Sequence, residues 1–191
     1  MMRILLLFST FLLLSFNAVS QKNKTDGHIK WRDDYKLTWN DFKAKPRKSH
    51  YASAMSDVTF SVSIKSEGNK LYVVIQPSFD PKGSWVKKDD KTEYLLNHEQ
   101  IHFDIYELNA RKFRKELQSK KLTTVNAQSV VNRLIKKYSE LNVKIQERYD
   151  SETDHSLKKE KQEKWNEKIA LELEKLKDYS ESEFSVDIEI K

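Results

Sequence analysis

Residues 93–117 read EYLLNHEQIHFDIYELNARKFRKEL, and the spacing of their apolar positions decides how the rest of the chain is parsed. Tyr94, Leu95, Ile101, Ile105, Leu108 and Phe113 recur at the 3.6-residue period of a helix, which predicts one over about 91–118. Inside it stands His98-Glu99-Gln100-Ile101-His102, an H-E-x-x-H motif. Residues four apart lie about 40° apart around a helix, so both imidazoles project from one face and can share one tetrahedral zinc. Glu99 then sits beside the first imidazole, where it can bind the zinc-held water and take its proton.

Upstream of this helix the period is two. Val58, Phe60, Val62 and Ile64 alternate with Thr59, Ser61 and Ser63, then Glu67-Gly68-Asn69 precedes a β-branched run from Leu71 to Ile75. This predicts a hairpin over about 57–76 with its turn at 66–69. Tyr35-x-Leu37-x-Trp39 before Asp41-Phe42 predicts a short strand and turn, while Pro77 and Pro81 close the section. Downstream, a second helix is expected from Asn126 to about Tyr149 and a third from about Ser156 to Tyr179, parted by the turn-forming group Asp150 to His155. Phe184, Val186, Ile188 and Ile190 alternate as a last strand. The expected fold is α+β: a small antiparallel sheet packed on the motif helix, followed by two long helices.

The chain has 191 residues, no cysteine, 3 glycines and 3 prolines. That excludes a disulfide framework, a Cys-ligated zinc ribbon and a thiol nucleophile, so a metal must be held by His, Asp or Glu. The few glycines also exclude phosphate loops and dinucleotide-binding folds. Lys and Arg number 35 against 29 Asp and Glu, both signs interspersed, and no basic cluster is interleaved with aromatics. No nucleic-acid partner is therefore expected. Residues 1–20 read as a signal peptide: Arg3, an apolar run to Phe16 and Ala18-Val19-Ser20 before Gln21. Export to the periplasm or the extracellular space follows, with no integral membrane span after cleavage. Residues 21–30 read as a loose lead-in and 31–191 as one domain.

A catalytic zinc commonly has three protein ligands. Asp104 and Glu107 lie about 200° and 140° around the helix from His102, so the third must come from elsewhere. Of His28, His50 and His155, the last is favoured, because its turn between two helices can aim it back at the motif. Asp150, Glu152 and Asp154 share that turn and are the acidic rivals.

Asn97-His98-Glu99-Gln100-Ile101-His102-Phe103-Asp104, then Ala110-Arg111, Tyr149-Asp150 with Thr153 and His155, and Gln162 with Trp165 resemble the bacterial domain-of-unknown-function family 922. The resemblance runs from Trp39-x-x-Phe42 to the third helix. Members of that family are described as secreted zinc-dependent proteases on the strength of the motif. The resemblance implies zinc on His98 and His102, Glu99 catalytic and His155 as third ligand. Where the family pattern often has Gly after that last His, this chain has Ser156.

The expected activity is thus zinc-dependent hydrolysis of a peptide bond in a peptide or protein substrate, on a zincin-like domain with Glu99 as general base. An extended substrate is expected to pair with a strand edge, either Leu71 to Ile75 or Val58 to Ile64. Asp104 is a candidate partner for a ligand imidazole, and Tyr149 or Tyr106 a candidate oxyanion donor, although both tyrosines also fit apolar stripes. The alternative is an exported zinc-binding or partner-binding module without turnover, for which Glu99 would be unnecessary.

Overall fold

A computed structural model describes residues 27–46 and 52–191. The signal-peptide segment, residues 21–26 of the lead-in and His50 lie outside these. In chain order the described residues form β1 (Ile29–Lys30), β2 (Ala54–Met55), β3 (Val58–Glu67), β4 (Lys70–Phe79), β5 (Trp85–Val86), α1 (Glu93–Gln118), β6 (Leu122–Thr123), α2 (Ala127–Thr153), α3 (Lys159–Lys175) and β7 (Glu183–Glu189). The class is α+β, as the two periods require. Among the described residues no helix is long and apolar enough to cross a membrane.

The hairpin β3–β4 closes on a two-residue turn, Glu67 pairing with Lys70. Gly68 takes φ 60° there while Asn69 stays at negative φ, the pattern of a type II′ turn that matches strand twist. β4 runs two residues beyond Pro77, where the sequence suggested an end. The Pro77 carbonyl accepts from Trp31 N on the side away from β3, so its ring nitrogen faces that side too, where only the return bond to Trp31 at the end of the β1 pairing is forgone and the ladder to β3 is untouched. β3 covers one edge of β4, and β1 and β7 share the other; β6 pairs parallel with β7. Leu71 to Ile75 is therefore an interior strand and no edge for a substrate. Beside this sheet, β2 and β5 form a separate ribbon.

Two expectations differ near the N-terminus. Ile29 and Lys30, read as loose, pair with Phe79 and Ser78. Tyr35 to Trp39 makes no strand, because side chains capture its backbone donors: Leu37 N donates to Gln100 Oε1 at 2.8 Å and Thr38 N to Asp41 Oδ2 at 2.7 Å. The segment ends instead in a 3-10 turn, Trp39–Asp41.

Thr92 caps α1 by accepting from Leu95 N, and the helix is then buried from three directions. Leu71, Val73 and Ile75 of β4 pack on Phe113 and Leu117. Trp31, Phe42 and Phe79 meet Leu95 and Phe103, and Ile101, Ile105 and Leu108 meet Tyr149, Trp165 and Ile169 of α2 and α3. Each such side chain contributes roughly 1.5–3 kcal/mol on burial. Encirclement also buries charge. Glu107 accepts from Arg111 Nε and Arg114 Nη1, both at 2.9 Å, and Arg114 reaches the Ile75 carbonyl at 2.7 Å. That network ties the sheet to the lower half of α1.

Residues 150–153, expected as a turn, instead continue α2 for one more turn. Thr153 Oγ1 bonds back to the Tyr149 carbonyl at 2.8 Å. The helix stops only where Asp154, His155 and Ser156 adopt φ 52°, 49° and 75°.

Candidate metal centre

α1 and α2 run antiparallel, and polar side chains meet between them in successive rungs. Asn109 Nδ2 donates to Asn142 Oδ1 at 2.6 Å, His102 Nδ1 meets Gln146 Oε1, and Asp150 faces both motif histidines. Asn142, Gln146 and Asp150 are four residues apart, so they share one face of α2. That face carries Asp150 toward His98 and His102 only because α2 persists past Tyr149.

Three atoms converge at the last rung. Asp150 Oδ1 lies 3.0 Å from His102 Nε2 and 3.2 Å from His98 Nε2, and the two Nε2 atoms are 3.2 Å apart. His98 is buried and Asp150 half-buried. Burial pushes the Asp150 carboxyl up, but the imidazoles of His102 and His98 outweigh it and hold it well below the usual carboxylate range. Burial likewise lowers His102, yet its bond to Asp150 and the charges of Glu99 and Asp150 outweigh that and set it above its ordinary value.

The far side of each ring is tied to an amide. His98 Nδ1 lies 2.8 Å from Gln162 Oε1, the Tyr149 hydroxyl donates to the same oxygen at 2.7 Å, and Gln162 Nε2 donates to Asn166 Oδ1 at 2.8 Å. Gln146 Nε2 donates to the His102 carbonyl at 3.0 Å, which leaves its oxygen for His102 Nδ1. An amide oxygen only accepts, so each Nδ1 carries the proton and a neutral ring turns a lone pair outward on Nε2.

This donor set fits a metal ion. Asp150 Oδ1 is buried without a hydrogen bond in the structure, and while both rings are neutral with Nδ1 protonated, the two nitrogens beside it bring it only lone pairs. Three such atoms repel unless a cation sits among them. For zinc at 2.0–2.1 Å, tetrahedral ligand atoms stand about 3.3 to 3.4 Å apart, within a few tenths of an ångström of the distances here.

A cleft of about 420 Å³ opens over the group, lined by Ala54, Met55, Leu95, Tyr106 and His155 among others. Glu99 lines it as well, buried, with Ser56 Oγ donating to its Oε2 at 2.6 Å. Just before β2, Ser53 O accepts from Lys87 N, and the register puts Met55 opposite Trp85. Ala54 lies between these hydrogen-bonded positions, so its own N–H and C=O face away from β5.

The structure brings His98, His102 and Glu99 together, and seats Asp150 where His155 was favoured. His155 stays on the cleft rim, 47% exposed, its Nδ1 3.9 Å from Asp150 Oδ2. The reason is the added turn of α2, which leaves Asp150 facing α1 and carries His155 beyond the helix end. Glu152 bonds to Arg148 and Trp165 instead, and Asp154 faces Lys158. Asp104 does not touch an imidazole: its Oδ1 accepts from Trp31 Nε1 at 2.7 Å and Gln100 Nε2 at 2.8 Å, and burial raises its pKa. Tyr149 is fully buried, stacked on the His98 ring at 4.6 Å, so its hydroxyl supports Gln162 and is no oxyanion donor. Tyr106 lines the cleft. Gln146 and Ser56 went unnoticed in the sequence. The four-residue spacing of Asn142, Gln146 and Asp150 inside an apolar helix pattern is the signal for the first; Ser56 has none.

The family whose description reads "Bacterial protein of unknown function (DUF922)" matches residues 14–156. No curated protein and no solved structure matches the chain.

Proposed function

The chain belongs to this bacterial family of unknown function, and on that premise we propose that it is an exported, zincin-like zinc metallopeptidase. The observation that carries the reading is the placement of Glu99 beside His98, His102 and Asp150 in one open cleft. His98, His102 and Asp150 would hold the ion, and a bound zinc would supply Lewis acidity toward a water and a substrate carbonyl. Glu99 has the part of general base: Ser56 fixes Oε2 and leaves Oε1 to take the proton and pass it to the leaving amine. A peptide is favoured as substrate because the extended segment 52–56 lines the cleft wall, where the Ala54 N–H and C=O are not taken by β5. The short ribbon strand β2 replaces the two edges considered from sequence, since residues 52–56 line the cleft. Arg3, the apolar run after it and Ala18-Val19-Ser20 support export.

The test is zinc content and hydrolysis of an unfolded protein by the chain lacking residues 1–20. Glu99→Gln should keep zinc and lose hydrolysis by about 10²-fold or more. Full activity in that variant refutes the general-base role, and absence of bound zinc in the wild type refutes the metal reading.

A further inference from the structure

We infer that Gln162 and Gln146 are positioning residues of the centre, which fix His98 and His102 in the Nδ1–H tautomer before any metal arrives. This deepens the metal reading above and rests on it. An unrestrained neutral imidazole carries its proton on either nitrogen, and only the ring with a bare Nε2 can enter the group with Asp150. Here each choice is made by an amide whose own orientation is determined elsewhere.

For His98 the determinants form a chain that runs inward from Asn97. Asn166 Nδ2 donates to Asn97 Oδ1 at 2.7 Å, so Asn166 Oδ1 is left to accept from Gln162 Nε2, and Gln162 Oε1 is left for His98 Nδ1 and the Tyr149 hydroxyl. Gln162 is fully buried, so no water competes for that oxygen. For His102, the carbonyl of its own residue takes the Gln146 N–H. Backbone and side chain of one residue thus hold the amide like a clamp, and neither end can flip without losing two bonds.

Two consequences follow. α3 begins at Lys159, after the residues matched by the family, yet it contributes the partner of the first motif histidine. Both partners are also neutral amides. A carboxylate in their place would pull the Nδ1 proton and make the imidazole a stronger donor, so the amides orient the rings without adding negative charge around the Asp150 carboxylate.

The probe is zinc, measured by competition with a chromophoric chelator, together with nitrogen-15 imidazole NMR of the metal-free chain at a pH where both rings are neutral. The wild type should give Nδ1–H, bare-Nε2 patterns for His98 and His102. Gln162→Leu should lose the pattern at His98, Gln146→Leu at His102, and each should bind zinc about 10- to 100-fold more weakly. Gln162→Glu, which keeps an acceptor but brings the charge that the amide avoids, should restore the Nδ1–H pattern at His98. Gln146 is only half-buried on α2, so its variant reports even where Gln162→Leu fails to fold. If the wild type binds zinc and Gln146→Leu keeps both its tautomer and its affinity, the positioning role falls alone. If the wild type binds no zinc, the metal reading falls and takes this inference with it.

Discussion

Replacing Asp150 by Ala and, separately, His155 by Ala separates the donor group that the structure brings together from the ligand set favoured by sequence. Asp150 Oδ1 lies 3.0 and 3.2 Å from the two imidazole nitrogens and brings the only formal charge to the group. Four-ligand structural zinc sites bind with roughly 10–16 kcal/mol, or about 3 kcal/mol per ligand, so losing one costs about 100-fold in affinity. His155 is 47% exposed and 3.9 Å from the other Asp150 oxygen, an exposed pair whose loss weakens zinc by less than about five-fold. Competition with a chromophoric chelator at pH 7.5 reads both losses in one titration series. Melting with and without zinc supplies a control, because at saturating metal a folded Asp150→Ala chain should gain about 2.7 kcal/mol less from zinc than the wild type, the equivalent of the 100-fold loss. A severe loss in His155→Ala with near-normal affinity in Asp150→Ala would show that the left-handed turn swings its imidazole in and that the rung geometry has been misjudged.

Metal-free protein should show a definite pH profile. Asp150 is held below its unfolded value near 3.9, so its contribution is present above about pH 4 and is lost as the pH falls. His102 is raised above about 6.5, so its contribution is present below that pH and fades as the pH rises through its folded value. Chelator-treated protein should therefore melt highest between about pH 4.5 and 6.5, whereas the gain from added zinc grows above that window; an apo melting temperature flat from pH 6 to 9 contradicts the pairing. Glu107→Leu strands two buried guanidinium groups and should cost about 3–5 kcal/mol, a fall of about 6–20 °C in melting temperature by calorimetry. A fall under about 2 °C would mean that Arg114 is satisfied by carbonyls alone. Ser156→Gly relieves φ 75° and should raise the melting temperature by about 1–3 °C with zinc affinity unchanged; a decrease argues against a strained turn.

The elements that formed where the sequence placed them did so for local reasons. The alternation from Val58 to Ile64, the Gly68-Asn69 turn and the helical stripe through residues 93–117 each bury an apolar set that period alone identifies. The grouping of the motif side chains was legible in the same way, since two imidazoles and a carboxylate at H-E-x-x-H spacing need only helical geometry to come together. Pro77 and Tyr35 to Trp39 misled because each outcome depended on a distant neighbour. At the end of the β1 pairing the proline forgoes only the return bond to Trp31, and Gln100 takes the Leu37 amide that a strand would have used.

What the sequence determined by itself is therefore the α+β class, the motif helix and the two histidines with Glu99, because i to i+4 geometry is a property of one segment. The third member of the group and the partners of both rings were decided by tertiary structure. Whether α2 ends at Tyr149 or runs one turn further is a matter of Tyr149, Trp165 and Ile169 packing against α1, and that turn alone turns Asp150 inward and leaves His155 at the rim. The same packing brings Gln162, 64 residues from His98, to the far side of its ring. No local pattern encodes such contacts, because their free energy comes from burial between segments far apart in the chain.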